Sequence, residues 1–172
     1  MIKDTADLKK LGELIRGIPI AMLTTIDADG ELRSRPMVTL RREVDSDLWF
    51  YTQAQGGKVE EIGQDARVNV AYAYPEKHRY VSVSGFAQVV FDDTKMQELW
   101  EAPLVGFFPG GLSDPNLALI KVRIDKAEYW ETPAHAAATR SPAFTRPVLA
   151  SRASNKTENK AEKEEHGRLV FE

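Results

Sequence analysis

The sequence predicts a mainly β protein, a small β-barrel with peripheral helices. Three observations lead there: short β-like runs recur along most of the chain, turn residues separate them, and only three stretches carry helical spacing. The 172 residues suit one compact domain with a genuine core. The expected division is a barrel domain over residues 1–133 and a polar C-terminal extension over 134–172.

Residues 4–17 read as an amphipathic helix, because Leu8, Leu11, Leu14 and Ile15 recur at helical spacing and Gly17 ends the run. A β-like run over 18–26 meets the turn Asp27-Ala28-Asp29-Gly30 and continues as a second run over 31–40. Asp-Gly supplies the left-handed conformation that a tight hairpin needs. The next strand is 48–52, followed by a helix opening at Lys58 with Val59 and Ile62 on one face. Residues 67–73 alternate with period two, so one face is buried and the other is not. Pro75 to His78 turns the chain into the longest β-like stretch, 80–90, where Gly85 marks a bulge or bend. A short helix over 94–100 is capped by Asp93 or Thr94, and the last strand of the barrel is 117–124. That makes six strands and three helices.

From Thr132 the composition changes. Residues 134–139 are alanine-rich, Pro142 and Pro147 interrupt, and 151–172 are dominated by charges of both signs. Such a segment cannot offset the roughly 1–2 kcal/mol per residue lost on ordering a backbone, so it reads as a tail outside the core. A helix over 158–166 that docks on a partner subunit is the competing reading.

Composition narrows the function classes. The net charge of −3 comes with no basic run interleaved with aromatics, which argues against nucleic acid as a partner. No apolar segment approaches the ~20 residues that span a bilayer, and the N-terminal residues lack the apolar block of a signal peptide. A cytoplasmic protein without a membrane partner is expected. The absence of cysteine removes disulfides and thiolate chemistry, so any redox role needs a borrowed cofactor. His78, His135 and His166 stand too far apart for a metal motif, so no metal site is expected. Ser84-Gly85 lacks the first glycine of a nucleophile elbow. Asp92 and Asp93 sit where a strand gives way to a helix, the normal place for capping carboxylates.

One stretch carries chemistry. Residues 33–40, 48–52 and 53–58 read as two neighbouring strands and a glycine-bearing loop that form one pocket. Arg35 and Lys58 supply two cations where Gly56 and Gly57 let a ligand approach the backbone, and the first turn of the following helix aims free N–H groups at the same loop. A phosphate monoester suits that combination. Met37, Trp49 and Tyr51 offer flat or polarizable surface for a ring. The same residues also read as a surface arginine, a solvated lysine and an ordinary hydrophobic hairpin.

The order of these pieces resembles the FMN-binding split-barrel family related to pyridoxamine 5′-phosphate oxidase, in its general stress protein branch. The residues that carry the resemblance are Arg35-Pro36-Met37-Val38, Phe50-Tyr51-Thr52 and Lys58. Leu23-Thr24-Thr25-Ile26 and Asp29-Gly30 precede them, and Phe108-Pro109-Gly110-Gly111, Asp114-Pro115 and Glu128-Tyr129-Trp130 follow. It covers residues 8–130. The resemblance implies FMN as cofactor, held by Arg35, Pro36, Met37, Val38 and Thr39, by Tyr51 and Thr52, and by Gly57 and Lys58. It further implies a homodimer with FMN at the interface, Phe107, Phe108 and Trp130 being candidates to cover the ring.

The chain also departs from the family pattern. Gly57-Lys58 stands where the oxidases carry an Arg-Lys pair, and Tyr80 where a glutamine often faces the flavin. The arginine- and histidine-bearing C-terminal segment that grips pyridoxine phosphate has no counterpart here, so vitamin B6 oxidation is not expected. Three readings of function follow: an FMN-dependent oxidoreductase with a stress-related role, a module that stores, carries or senses FMN without turnover, and a barrel that has lost its ligand. No catalytic residue is assigned, and the electron donor or acceptor is open.

Overall fold

The computed structural model of the chain describes residues 5–40, 44, 46–132 and 165–170. Its centre is an antiparallel sheet in the order β2-β1-β4-β5-β6-β3, curled so that β2 and β3 form its two edges. The strands are β1 (Ile20–Ile26), β2 (Leu32–Val38), β3 (Asp47–Gln53), β4 (Arg67–Tyr74), β5 (Arg79–Val90), β6 (Leu117–Glu131) and β7 (Glu165–Val170). Three helices accompany them, α1 (Thr5–Ile15), α2 (Gly57–Gln64) and α3 (Asp93–Leu99).

Side-chain alternation decides which face of the sheet is inside. Ala21 and Leu23 of β1, Val70 and Tyr72 of β4, Val81 and Val83 of β5 and Phe50 of β3 all point inward and are buried. Helix α1 closes one end with Leu8, Leu11, Leu14 and Ile15, the residues that its helical spacing places together. Each such side chain, fully buried, contributes about 1.5–3 kcal/mol. Arg79 ties this end shut: Nη1 donates to the carbonyls of Glu13 and Leu14 at 3.2 Å each, and Nη2 pairs with Glu131 at 2.5 Å. A second, smaller core lies on the opposite face of β3 and β6. There Tyr51, Leu117 and Leu119 meet Met96 and Leu99 of α3 and Leu104 of the 3-10 turn Ala102–Gly106.

Several expected turns are present. Gly30 adopts φ +81 in the β1–β2 hairpin, where its N–H donates to the Asp27 carbonyl at 2.8 Å. Gly17, at φ +83, follows α1. At Gly85 the β5–β6 register shifts: Ser84 faces Lys126 but Gly85 faces Ile124, which leaves Asp125 as the extra residue. A Cβ on Gly85 would stand 2.2 Å from the Arg123 carbonyl oxygen, so the bulge requires glycine.

Three boundaries differ from expectation. β6 runs to Glu131 rather than ending at Ile124, because the polar Asp125-Lys126 marks a bulge inside a strand and not its end. The cap of α3 is Asp92, whose side chain accepts from the Lys95 N–H at 2.9 Å, one residue before the expected position. The largest correction concerns the C-terminal segment, read as lying wholly outside the core. Residues 165–170 form β7, which pairs with β6 along Lys126–Glu131, and Leu169 joins the main core. An edge strand takes its stability from backbone bonding to its neighbour, so one buried leucine suffices and polar composition conceals it. Most of the alternative helix over 158–166 lies outside the described residues; 165 and 166 belong to β7.

The outer face of the sheet is unusual in its apolar content. Ile20, Met22, Leu32, Tyr80 and Trp130 are all exposed there, with Pro36 and Ala73 among them. Among the described residues, no helix is long and apolar enough to cross a membrane.

Candidate functional site

The β1–β2 register sets Arg35 opposite Leu23, so its side chain shares the inward face with Leu23 and Met37. It emerges at the open end of the curled sheet, under α2. There Arg35 Nη1 donates to Thr25 Oγ1 at 2.6 Å and Nη2 pairs with Glu61 Oε1 at 2.5 Å. Thr25 Oγ1 in turn donates to Glu61 Oε2 at 2.5 Å. Arginine, threonine and glutamate thus close a ring of hydrogen bonds, with Glu61 only 8% exposed. The hydrogen bond from Arg35 holds the Glu61 carboxyl below its ordinary range against the opposing effect of burial, helped by Thr25 and by the charges of Arg35 and Arg33.

Lys58 stands one helical turn before Glu61, on the same side of α2. It is half-buried, and among the described residues its ammonium makes no ion pair. Burial lowers its pKa first and the nearby Arg35 charge lowers it further, while Glu61 acts the other way. Two cations therefore share one carboxylate. The Gly56 carbonyl accepts from the Val59 and Glu60 N–H groups, and those of Gly57 and Lys58 have no acceptor among the described residues. Gly57 is open to solvent. This donor set fits a phosphate: a cation with no fixed partner, a guanidinium with donors left over, and free N–H groups opening a helix.

The other expected contacts are dispersed. Pro36 faces outward opposite Met22. Met37 is buried in the main core, Tyr51 in the second core, where its ring meets Trp100 at 5.3 Å edge-on and its hydroxyl donates to the Met96 carbonyl. The expectation that Met37, Trp49 and Tyr51 form one surface for a ring is therefore corrected. Met37 points inward from β2 and Tyr51 outward from β3, so packing claims their side chains on different faces of the sheet. Trp49 is flanked instead by Lys95 and Lys121, 5.2 and 5.5 Å from its ring centre. Thr52 is buried on the inner face.

A cavity of about 1320 Å³ lies elsewhere, between α1, the end of β2 and the α3 region. Val38, Thr39 and Phe107 of the expected cofactor contacts line it, with Trp49; Arg35, Lys58, Tyr51, Thr52 and Trp130 do not. Its walls mix apolar side chains with charged ones of both signs, Lys9, Arg16, Asp47, Lys95, Glu98 and Glu101 among them. One polar atom there is notable: Thr39 Oγ1 is buried with no hydrogen-bond partner among the described residues. Phe107 is 59% exposed. Trp130, 37% exposed, faces outward beside Tyr80, on the opposite face of the sheet from Arg35.

Sequence reasoning missed Thr25 and Glu61. Helical spacing carried the signal for Glu61, three residues after Lys58. For Thr25 it lay in the hairpin register, which pairs Thr25 with Arg33 and so puts it next to Arg35 on one face.

The model of the family described as pyridoxamine 5′-phosphate oxidase like matches residues 6–146. The chain belongs to this family. It is 27% identical over 132 residues to protein bli-3 of Neurospora crassa, a match that takes in 71% of this chain and 63% of that protein. Among solved structures, a protein of Clostridium acetobutylicum related to general stress protein 26 aligns with a TM-score of 0.65 at 19% identity, over 74% of this chain and 90% of its own. The general stress FMN/FAD binding protein of Xanthomonas citri aligns at 0.63 with 24% identity, over 89% of this chain and all of its own, 100%. The fold is that of the split-barrel proteins.

Proposed function

We propose that the chain is an FMN-binding flavoprotein, an oxidoreductase with a stress-related role that does not oxidise pyridoxamine 5′-phosphate. The observation that carries this reading is Lys58, a half-buried cation beside Arg35 with no ion-pair partner among the described residues. Such a group is costly unless an anion meets it. A flavin phosphate supplies that anion, and the Xanthomonas citri relative, described as FMN/FAD binding, supports the choice. Once bound, a flavin provides the hydride or electron transfer that these side chains do not.

The working unit is a homodimer in which each FMN is held by one barrel and covered by the other. Arg35 and Trp130 occupy opposite faces of the sheet, so one flavin meets both only if the second comes from a partner chain. The exposed apolar residues of the outer face, together with Phe107, suit a buried contact.

Ligand released from purified protein and identified by mass tests the cofactor directly. Titration of apo-protein with FMN tests the site: a charge-assisted hydrogen bond contributes about 1.5–3 kcal/mol, so Lys58→Ala should weaken binding at least tenfold. An unchanged dissociation constant would sink the assignment. Turnover of NAD(P)H or an electron acceptor separates an oxidoreductase from a storage or carrier module. Pyridoxal phosphate formation should stay near background, and turnover at the level of a true oxidase would overturn that exclusion.

A further inference from the structure

We propose that Glu61 is a specificity-determining residue: by cancelling Arg35 it holds the phosphate site at a net charge of +1 instead of +2, and so weakens its preference for a doubly charged phosphate over a singly charged one. The proposal rests on the phosphate-site reading above and adds the charge state that the site selects.

The geometry of the carboxylate carries the argument. Glu61 is buried and both of its oxygens are used, Oε1 by Arg35 at 2.5 Å and Oε2 by Thr25 at 2.5 Å. The charged or polar groups that face it are therefore Arg35 from β2, Thr25 from β1 and, within α2, Lys58. Arg33 acts from farther along β2, but its own charge is taken up by Asp27 at 2.5 Å. Two cations and one carboxylate remain. A Cβ placed on Gly57 would stand 3.5 Å from Glu61 Oε1, so the carboxylate borders the loop on which a phosphate would rest. Its repulsion of that phosphate grows with each added negative charge, at a range too short for salt to screen.

Glutamine at this position changes the charge and little else. Its carbonyl oxygen accepts from Arg35 Nη2 as Oε1 does, and its amide donates to Thr25 Oγ1, which has a lone pair to spare. The ring of hydrogen bonds survives while the site moves from +1 to +2.

The test is titration of the full chain with FMN at about pH 5 and about pH 7.5, on either side of the second phosphate ionisation near pH 6. Glu61 is held ionised by Arg35 at both. Affinity should rise less from the lower pH to the higher in wild type than in Glu61→Gln, which should bind about tenfold tighter than wild type at the higher pH and within about threefold of it at the lower. Glu61→Asp, which keeps the charge, should keep the wild-type profile. A gain in Glu61→Gln that is equal at both pH values, absent or reversed overturns the proposal. If that variant does not fold, the double variant Arg35→Gln/Glu61→Gln decides: it also leaves a net charge of +1, so its ratio of affinities at the two pH values should match that of wild type, and a clearly different ratio overturns the proposal. If wild type binds no FMN, the flavin reading fails separately. Inorganic phosphate, followed by thermal shift, then becomes the probe: Glu61→Gln must gain stabilisation over wild type where phosphate is doubly charged and not where it is singly charged, and any other result rejects the charge-setting role.

Discussion

The two ends of β2 are built on different physics: Arg35 stands in a charged cluster, and Val38 and Thr39 border a wide cavity. At the Arg35 end the Glu61 carboxylate, the Thr25 hydroxyl and two nitrogens of Arg35 are tied together at 2.5–2.6 Å, while Lys58 and two N–H groups beside them have no partner among the described residues. At the Thr39 end lies a cavity of about 1320 Å³ whose lining mixes leucine, isoleucine and aromatic side chains with charged ones such as Arg16, Asp47 and Glu98, and where the Thr39 hydroxyl has no partner among the described residues. Hydrogen-bonded charges specify what is bound, because each unmet partner is costly.

The largest expected effect breaks the charged end. Arg35→Ala leaves Glu61 buried without its main partner, and we expect a loss of about 2–3 kcal/mol, below the ~3–5 kcal/mol for removing one member of a fully buried pair, because Arg35 is 25% exposed. Urea denaturation measures it. The same pair gives a pH dependence with a definite sign. The Glu61 carboxyl titrates lower in the folded chain than its ordinary value of 4.5, so its contribution is fully present above that value and is lost as pH falls through the depressed folded value. In Arg35→Ala that acid-side loss should shrink. A wild-type acid limb identical to that of the variant would show that the pair does not couple to folding.

How legible each end was in the sequence follows from the same contrast. Arg35 and Lys58 stood out through the order in which an Arg-Pro-Met-Val strand, a Phe-Tyr-Thr strand and a glycine-led lysine follow one another, and the barrel stood out because its strands alternate. The partners of Arg35 did not. Glu61 lies in a Val-Glu-Glu-Ile run that reads as an ordinary solvated helix face, and only tertiary packing of α2 over β1 decides that one of the two glutamates is buried. Tyr51 and Met37 misled for the opposite reason: their types suit a flavin ring, but strand parity sends one into each core. β7 was hidden by its composition, since pairing with β6 depends on backbone groups that the sequence does not distinguish.

A middle-sized effect addresses the cavity end. Phe107 lines the cavity and is mostly exposed. If it enters a contact with a second chain, Phe107→Asp puts an unpaired charge there, and dimerisation should fall by about tenfold or more, with FMN affinity falling alongside. Light scattering and flavin titration on the one variant report both. A wild-type monomer, or a variant that stays dimeric and binds FMN normally, would reject the shared site and confine function to the charged end.

The smallest effect asks whether the cavity end awaits a ligand at all. Thr39 Oγ1 is buried without a partner among the described residues, while its backbone N–H donates to the Pro19 carbonyl at 2.9 Å and so fixes the residue in place. A buried hydroxyl that makes no hydrogen bond carries a desolvation penalty of about 1–3 kcal/mol, and valine removes that penalty at nearly the same shape. Thr39→Val should therefore leave the unliganded protein as stable as wild type, or more stable by up to about 1 kcal/mol. If the hydroxyl is held in reserve for FMN, the same change should weaken flavin binding about fivefold, the usual worth of one neutral hydrogen bond. Stability and affinity then move in opposite directions, which simple damage to the fold cannot produce. A loss of stability without ligand would show that the hydroxyl already has a partner in solution. Unchanged affinity would place the flavin away from Thr39 and leave its recognition to the Arg35–Lys58 end.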